Sequence, residues 1–138
     1  IGTDMSVFPT AGHLCSWAGF APLARESAKR SKPRSTGRGD RYLARVLGDA
    51  VAGAGRTPTF LGARYRRLAR RRGKNKATVA VARSMLTIIW HLMNDPEARF
   101  HELGQDWHDQ HRPHRDQVRK HIRELQHLGY TVTLEPAA

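Results

Sequence analysis

Apolar residues recur along this chain in steps of three and four, the spacing that places side chains on one face of an α-helix. The pattern predicts five helices, over residues 11–18, 40–54, 58–72, 77–94 and 114–128. Residues 130–134 instead alternate apolar and polar side chains, which predicts a short strand. The predicted fold class is therefore mainly α: a small helical domain of about five helices with a long basic loop and a short C-terminal strand.

Several residues are typical of helix ends. Thr10 and Thr57 are predicted caps, and Pro58 suits the first position of a helix. Gly73 and Gly129 are predicted to end the helices before them. The helix over 40–54 carries its apolar pattern on Tyr42, Leu43, Val46, Leu47, Ala50 and Val51.

The helix over 77–94 is apolar on most of its faces, which is typical of a helix buried in a core. It is the predicted core helix, and Ile89 is among the side chains expected inside. Cys15 is the single cysteine, so the chain has no internal disulfide and suits a reducing cytosol. We expect Cys15 to be a small buried hydrophobic residue rather than a reactive thiol.

Positive charge is concentrated in one segment. Of the 24 Lys and Arg residues, 17 lie between Arg25 and Lys76 with only three acids, so this segment carries +14 against +12 for all 138 residues. Within it, residues 23–39 lack any apolar period and are rich in Ser, Lys, Arg, Pro and Gly, which predicts a flexible basic loop. Such a charge run favours a polyanionic partner, and nucleic acid is the leading candidate.

A solubilising tail and a membrane-binding surface are the alternatives to a nucleic-acid interface. A tail is less suitable, because the basic segment is internal and continues into a cationic helix. A membrane surface would require a broad apolar helix face, and the predicted helix over 58–72 has a narrow one. We therefore expect nucleic-acid contacts and no membrane, with these predicted contact residues: Arg25, Lys29, Arg30, Lys32, Arg34, Arg38, Arg41, Arg64, Arg67, Arg71 and Lys74.

Two groups of residues suggest chemistry without establishing it. Ser27 stands among cations, where a DNA phosphate can be held, but no general base adjoins it, so an ordinary loop serine remains the alternative. Four histidines share one polar stretch, at positions 101, 108, 111 and 114. Their spacing matches no strong zinc pattern, so no metal site is predicted in this chain.

A series of residue strings, in order, carries a family resemblance. They are Ile-Gly-Thr-Asp at 1–4, His-Leu-Cys-Ser-Trp-Ala-Gly-Phe-Ala-Pro at 13–22, Gly-Arg-Gly-Asp-Arg-Tyr-Leu at 37–43, the Phe-Leu to Arg-Arg-Gly-Lys run at 60–74, and Leu-Gly-Tyr-Thr-Val-Thr-Leu at 128–134. Together they resemble the C-terminal transposase domain of a family of bacterial insertion-sequence transposases. Those recombinases have an N-terminal DEDD, RuvC-like domain and are guided by a bridge RNA.

The resemblance implies a role for one serine. In that family a serine after the Trp-Ala-Gly…Pro motif attacks a DNA phosphate, and the matching position is Ser27, with Ser31 as second candidate. Glu26 and Ala28 stand where the family usually has Gln and Gly. The implied function is the C-terminal half of a DNA transposase, which binds DNA and guide RNA and supplies the nucleophile. The alternative is a catalytically dead nucleic-acid-binding remnant.

Further expectations follow from the same resemblance. Residues 1–138 would be a truncated C-terminal transposase domain, separated from its N-terminal DEDD domain. Mg²⁺ would be bound by the acidic residues of that absent domain, and this chain itself would hold no cofactor. The full-length protein would be a homo-oligomer in the bacterial cytoplasm, associated with the nucleoid.

Overall fold

The computed structural model describes residues 1–21, 39–111 and 113–135, without the side chain of Arg115. A 3₁₀ helix, Met5–Val7, comes first. Six helices follow: α1 (Ala11–Trp17), α2 (Arg41–Ala54), α3 (Phe60–Arg72), α4 (Lys74–Asn94), α5 (Trp107–Gln110) and α6 (His114–His127). The predicted mainly helical class is confirmed. The predicted basic loop over 23–39 lies outside the described residues except for Gly39.

Side-chain caps fix where α1, α2 and α3 begin. Thr10 caps α1 as predicted, and the Oδ1 atom of Asp40 accepts the backbone N–H of Leu43 at 2.7 Å to cap α2. The prediction that Thr57 caps α3 is wrong. The Thr57 hydroxyl donates to the carbonyl of Ala54 at the end of α2, so the next hydroxyl, that of Thr59, caps α3 instead.

Gly73 joins α3 directly to α4. Its φ of 85° is a left-handed conformation that glycine adopts without steric cost, and its N–H donates to the carbonyl of Ala69. The predicted stop at Gly73 is confirmed. The next helix begins at Lys74, three residues before its predicted start, because the Gly73 carbonyl already accepts the N–H of Ala77.

The C-terminal part differs most from the prediction. Residues 131–135 adopt neither helix nor strand, so the predicted C-terminal strand is wrong. A strand requires a partner for its backbone hydrogen bonds, and the part of the chain that the structure describes contains no strand to pair with. The one-turn helix α5 was not predicted, because its four residues, Trp-His-Asp-Gln, show no apolar period. Gly129, with φ of 90°, follows α6 as expected.

The chain divides into two compact units, Ile1–Gln105 and Asp106–Ala138. In the first unit, α1, α2, α3 and the 3₁₀ helix all pack against α4. Its hydrophobic core is formed by Met5, Leu14, Cys15, Ala18, Phe20, Leu47, Val51, Val81, Ala82 and Leu86. In the second unit none of the described side chains is buried, and Val118 and Ile122 on α6 are half-buried.

Two contacts hold the N-terminal residues against α4. The indole N–H of Trp90 donates to the carbonyl of Phe8 at 2.9 Å. The Sγ atom of Cys15 is fully buried and lies 3.7 Å from the carbonyl oxygen of Arg83, which confirms the prediction of a small buried residue.

Near the N-terminus, hydrogen bonds from the side chain and backbone of Ser6 hold the pKa of Asp4 below its usual value.

The core role of α4 is confirmed, but only part of its surface is fully buried. Ala77, Val81, Ala82 and Leu86 are fully buried, whereas Ile89 is half-buried and Leu92 is 37% exposed. The expectation that α4 is enclosed on most faces holds for residues 77–90, of which only Arg83 is exposed, but Ile89 is not fully inside. The outer part of its C-terminal half remains open to solvent.

Replacing Leu86 by alanine tests this placement of the core. Leu86→Ala removes a side chain with no exposed surface, so we expect the free energy of unfolding to fall by about 2–5 kcal/mol through lost burial and a cavity. Leu92→Ala is the matched control on the same helix and should cost clearly less. Urea denaturation of both variants makes the measurement, and equal losses would show that α4 is buried through a different face.

Candidate nucleic-acid interface

The predicted contact residues divide into two groups. Ser27, Ser31 and the loop cations Arg25, Lys29, Arg30, Lys32, Arg34 and Arg38 lie outside the described residues. Arg41, Arg64, Arg67, Arg71 and Lys74 are described, and all five lie in the first unit. Arg64 is half-buried, and the other four are exposed. The described part of the candidate interface therefore lies on helices α2 and α3 and the start of α4.

Gly39 lies where the chain returns from residues 22–38. A Cβ atom at this position would overlap the carbonyl of Ala18 and the backbone nitrogen of Gly19. The backbone on both sides of residues 22–38 is thus held at the C-terminal end of α1. Asp40 follows at once and caps α2, so the segment that contains Ser27 is attached between two helices of the core unit.

The outward side of α3 is cationic. Leu61, Tyr65 and Leu68 pack against the core, and Arg67, Arg70 and Arg71 are exposed to solvent. Together with Lys74, these three arginines form what we call the α3 cationic face. Arg70 was missing from the predicted contacts, although its spacing of three from Arg67 placed it on the same face of the helix.

Arg66 has a different role from its neighbours. Its Nη1 atom donates to the carbonyls of Gly55 and Thr57 at 3.0 and 2.9 Å. Gly62 brings α3 so close to this turn that a Cβ atom would overlap the carbonyls of Ala54 and Thr57. These contacts fix α3 against the end of α2, so Arg66 anchors the helix while the α3 cationic face points outward.

Several acids of the first unit accept backbone N–H groups. Glu102 accepts the N–H groups of Phe60 and Gly104 at 2.6 and 2.9 Å, at the start of α3, and Asp95 accepts the N–H of Glu97. Arg70 and Arg71 make no hydrogen bond or ion pair with any residue that the structure describes. Their charge is therefore left uncompensated, as expected of a surface that binds a polyanion.

Helix α2 presents a second exposed cation. Arg41 lies in its first turn, with its guanidinium 5.9 Å from the ring centroid of Tyr42. The pattern of the sequence assigned Tyr42 and Val46 to the apolar face, but the structure turns both outward and buries Leu47 and Val51. That assignment is wrong because apolar residues lie on two sides of α2, and only packing against α4 selects the inner one.

The histidine stretch is not assembled as a metal site. Among residues 1–21, 39–111 and 113–135, no three His, Cys, Asp or Glu side chains come together to hold a metal ion. In the second unit the ring of His111 stacks on Trp107 with 4.2 Å between ring centroids. We therefore assign Mg²⁺ no position on the described residues.

An apolar groove of about 330 Å³ lies elsewhere in the first unit, between α4 and the residues that follow it. Phe60, Ile88, Leu92, Phe100 and Leu103 are among its lining residues. Its apolar lining distinguishes it from the α3 cationic face, so we do not include it in the interface. None of the helices in the described ranges combines the length and apolar character that a membrane span requires.

One family of known proteins matches part of the chain. Residues 1–66 match the family model described as Transposase IS116/IS110/IS902 family. This match supports a transposase-related role for the chain. It covers α1, α2, the first half of α3 and the segment containing Ser27. No curated protein and no solved structure matches the chain.

A pair of glycine substitutions tests how the segment at 22–38 is attached. Gly39→Ala places a methyl group against the backbone of Ala18 and Gly19, so we expect it to lower the free energy of unfolding by about 1–3 kcal/mol. Gly48→Ala is the matched control inside α2, where a Cβ atom meets nothing within 4 Å. It should raise stability by about 0.5–1 kcal/mol through helix propensity. Thermal unfolding measures both, and a Gly39→Ala protein as stable as wild type would contradict the close contact.

Proposed function

We propose that this chain is the DNA-binding, nucleophile-bearing part of a transposase. It binds DNA through its basic segment and supplies Ser27 for strand cleavage and rejoining. The observation that carries the proposal is the family match over residues 1–66, since that range contains both Ser27 and much of the concentrated positive charge. Arg70 and Arg71, which are exposed and have no acidic partner among the described residues, support the binding half of the proposal independently.

Binding would rest mainly on the phosphate backbone. Arg64 and Arg71 are seven residues apart on α3, about 10 Å along the helix axis. Duplex DNA carries one charge per ~1.7 Å of its axis, so several phosphates lie within reach of this surface. Contacts of this kind orient a protein on DNA without reading its sequence. The loop cations from Arg25 to Arg38 would add to them.

The proposed chemistry is phosphoryl transfer to a serine. The Oγ atom of Ser27 forms a bond to phosphorus while the bond from phosphorus to a deoxyribose oxygen breaks, and the proton lost by the hydroxyl ends on that departing oxygen. The resulting phosphoester retains the energy of the phosphodiester, so strands can be rejoined without ATP. Arg25, Lys29 and Arg30 would stabilise charge on the phosphoryl oxygens, and deprotonation of the hydroxyl requires a base from outside the basic run.

Other components belong to the proposal through the resemblance described above. A guide RNA is a second polyanion that the same cations would bind. A DEDD domain would contribute the acidic residues and Mg²⁺, and a homo-oligomer in the bacterial cytoplasm would be the working form. Because no three His, Cys, Asp or Glu side chains come together among the described residues, we derive no step on this chain from the metal.

A second candidate function is binding without chemistry. It is favoured by Glu26 and Ala28, which replace the usual Gln and Gly on either side of Ser27. Glycine permits backbone conformations that alanine resists, so Ala28 narrows the range of conformations open to the chain beside the serine. Trapping a covalent intermediate distinguishes the two candidates.

Salt dependence of binding tests the polyanion interface. About six phosphate contacts predict a slope near −5 in a plot of log affinity against log salt for duplex DNA, with little sequence preference. Arg70→Ala with Arg71→Ala should reduce the magnitude of the slope by about 2 and weaken all sequences alike. Arg30, Lys32 and Arg34 replaced together by alanine should act in the same way.

The matched control is Arg119→Ala with Arg123→Ala, which removes the same charge from exposed positions of α6. It should leave the slope unchanged. Fluorescence anisotropy over a range of salt concentrations gives the measurement. A wild-type slope near zero would contradict binding to a polyanion. Equal effects of the two arginine pairs would show that the α3 cationic face is not a specific part of the binding surface.

A covalent adduct tests the nucleophile. We expect the chain alone to form none, and the chain with the DEDD domain of a relative, in magnesium buffer, to become linked to labelled DNA. Ser27→Ala should abolish the adduct while most binding remains, because binding depends on the arginines and lysines. Ser31→Ala is the control. An adduct lost only in Ser31→Ala would move the nucleophile to Ser31, and no adduct in any protein would favour binding without chemistry.

A further inference from the structure

Tyr42 is an aromatic residue that the core does not use. It lies in the first turn of α2 and is 75% exposed, on the side of the helix opposite Leu47 and Val51. Its hydroxyl has no hydrogen-bond partner among the described residues. Burying an aromatic ring stabilises a fold substantially, a gain that this ring leaves unrealised.

Cations accompany the ring. The guanidinium of Arg41 lies 5.9 Å from the ring centroid of Tyr42, and Arg45 is exposed one turn further along α2. The carboxylate of Asp40 accepts the N–H of Leu43 and so caps the helix. Because this carboxylate occupies the N-terminal end of α2, the helix end itself is not proposed as the binding site. The site consists of an exposed ring with the Arg41 guanidinium beside it and an exposed Arg45 one turn along the helix.

We propose that Tyr42 and Arg41 form a stacking platform for an unpaired base of a single-stranded nucleic acid. Unpaired bases stack on aromatic rings and on guanidinium planes, whereas the bases of a duplex already stack on each other. Arg45 would contact the neighbouring phosphate. This inference rests on the proposed function, because it requires a bound nucleic acid. It adds that the bound nucleic acid is single-stranded where it contacts the start of α2.

The position of the platform supports this occupant. Gly39 and Asp40 join α2 directly to residues 22–38, which are rich in Arg and Lys, so cations close to Tyr42 along the chain would contact phosphates of the same strand. A protein partner would find only Tyr42 and Val46 as exposed large apolar side chains on this face, flanked by arginines. The positive charge of these arginines is complementary to a polyanion, so we infer that the occupant is a nucleic-acid base.

Fluorescence of 2-aminopurine tests the platform. The probe is a short single strand carrying this base at several positions, made as DNA and as RNA, with the matching duplexes as reference. Adding wild-type protein should quench the single-strand probe by a much larger fraction than the duplex probe, because the bases of the duplex already stack on each other. Tyr42→Ala should lose that quenching and bind the single strands roughly 5- to 150-fold more weakly, with duplex affinity changed less than about twofold. The ratio of the DNA and RNA effects identifies the preferred strand.

Three further variants separate stacking from other effects of the substitution. Tyr42→Phe retains the ring and should behave as wild type, whereas Tyr42→Leu retains apolar surface without an aromatic face and should behave as Tyr42→Ala. Val46→Ala, one turn away on the same exposed side, should have no effect on quenching. Circular dichroism of each variant should show intact helices, because Tyr42 is exposed.

Several results would overturn the inference. Equal quenching by wild type and Tyr42→Ala, with steep salt dependence in both, would reject the platform and leave the proposed function standing. No binding of either strand form by wild type would reject the proposed function itself. Unchanged single-strand affinity in Tyr42→Ala, with lost self-association in light scattering, would assign Tyr42 to a protein surface instead.

Discussion

Packing of α1, α2 and α3 against one face of α4 is the contact on which the rest of the structure depends. That face offers Val81, Ala82 and Leu86, all fully buried, and the other helices bring Leu14, Cys15, Leu47 and Val51 to it. Once Leu47 and Val51 point inward, the rotation of α2 about its axis is fixed. The outward position of Tyr42 and the arginines of α2 is therefore a consequence of the core, as is that of the α3 cationic face.

Repulsion among the positive charges of the chain opposes the folding of this small core. Asp40 and Glu102 accept backbone N–H groups at the starts of α2 and α3, where negative charge also favours the helix dipole. Those carboxylates stabilise helices and leave arginines such as Arg70 without an acidic partner among the described residues. Repulsion among the cations opposes folding, and a bound polyanion removes it.

The long helices could be predicted from the sequence because their apolar spacing and their ends agree. Gly73 and Gly129 were recognised as helix ends for their backbone conformation. The predictions that were wrong depended on which groups lie close together in the fold. The start of α3 depended on whether the Thr57 hydroxyl would bind the end of α2 or cap α3. The C-terminal strand required a neighbouring strand for residues 130–134, which the described chain does not provide. In the candidate site, the anchoring role of Arg66 could not be predicted, because it depends on the carbonyls of Gly55 and Thr57, which the fold brings next to it. Ser27 was singled out by the cations around it, but its role as nucleophile comes only from the family resemblance. It lies outside the described residues, so that role stays a prediction.

Attachment of residues 22–38 links these parts energetically. The chain enters that segment beyond Ala18 and Phe20, both buried, and leaves it at Gly39, which lies against Ala18 and Gly19. The same core holds the α3 cationic face through Leu61 and Leu68. A nucleic acid that contacts both regions in the arrangement fixed by the core would bind the folded chain more tightly than the unfolded one, and so would stabilise the fold by mass action. Conversely, a substitution that loosens the core reduces the population able to bind, even when it touches none of the cations.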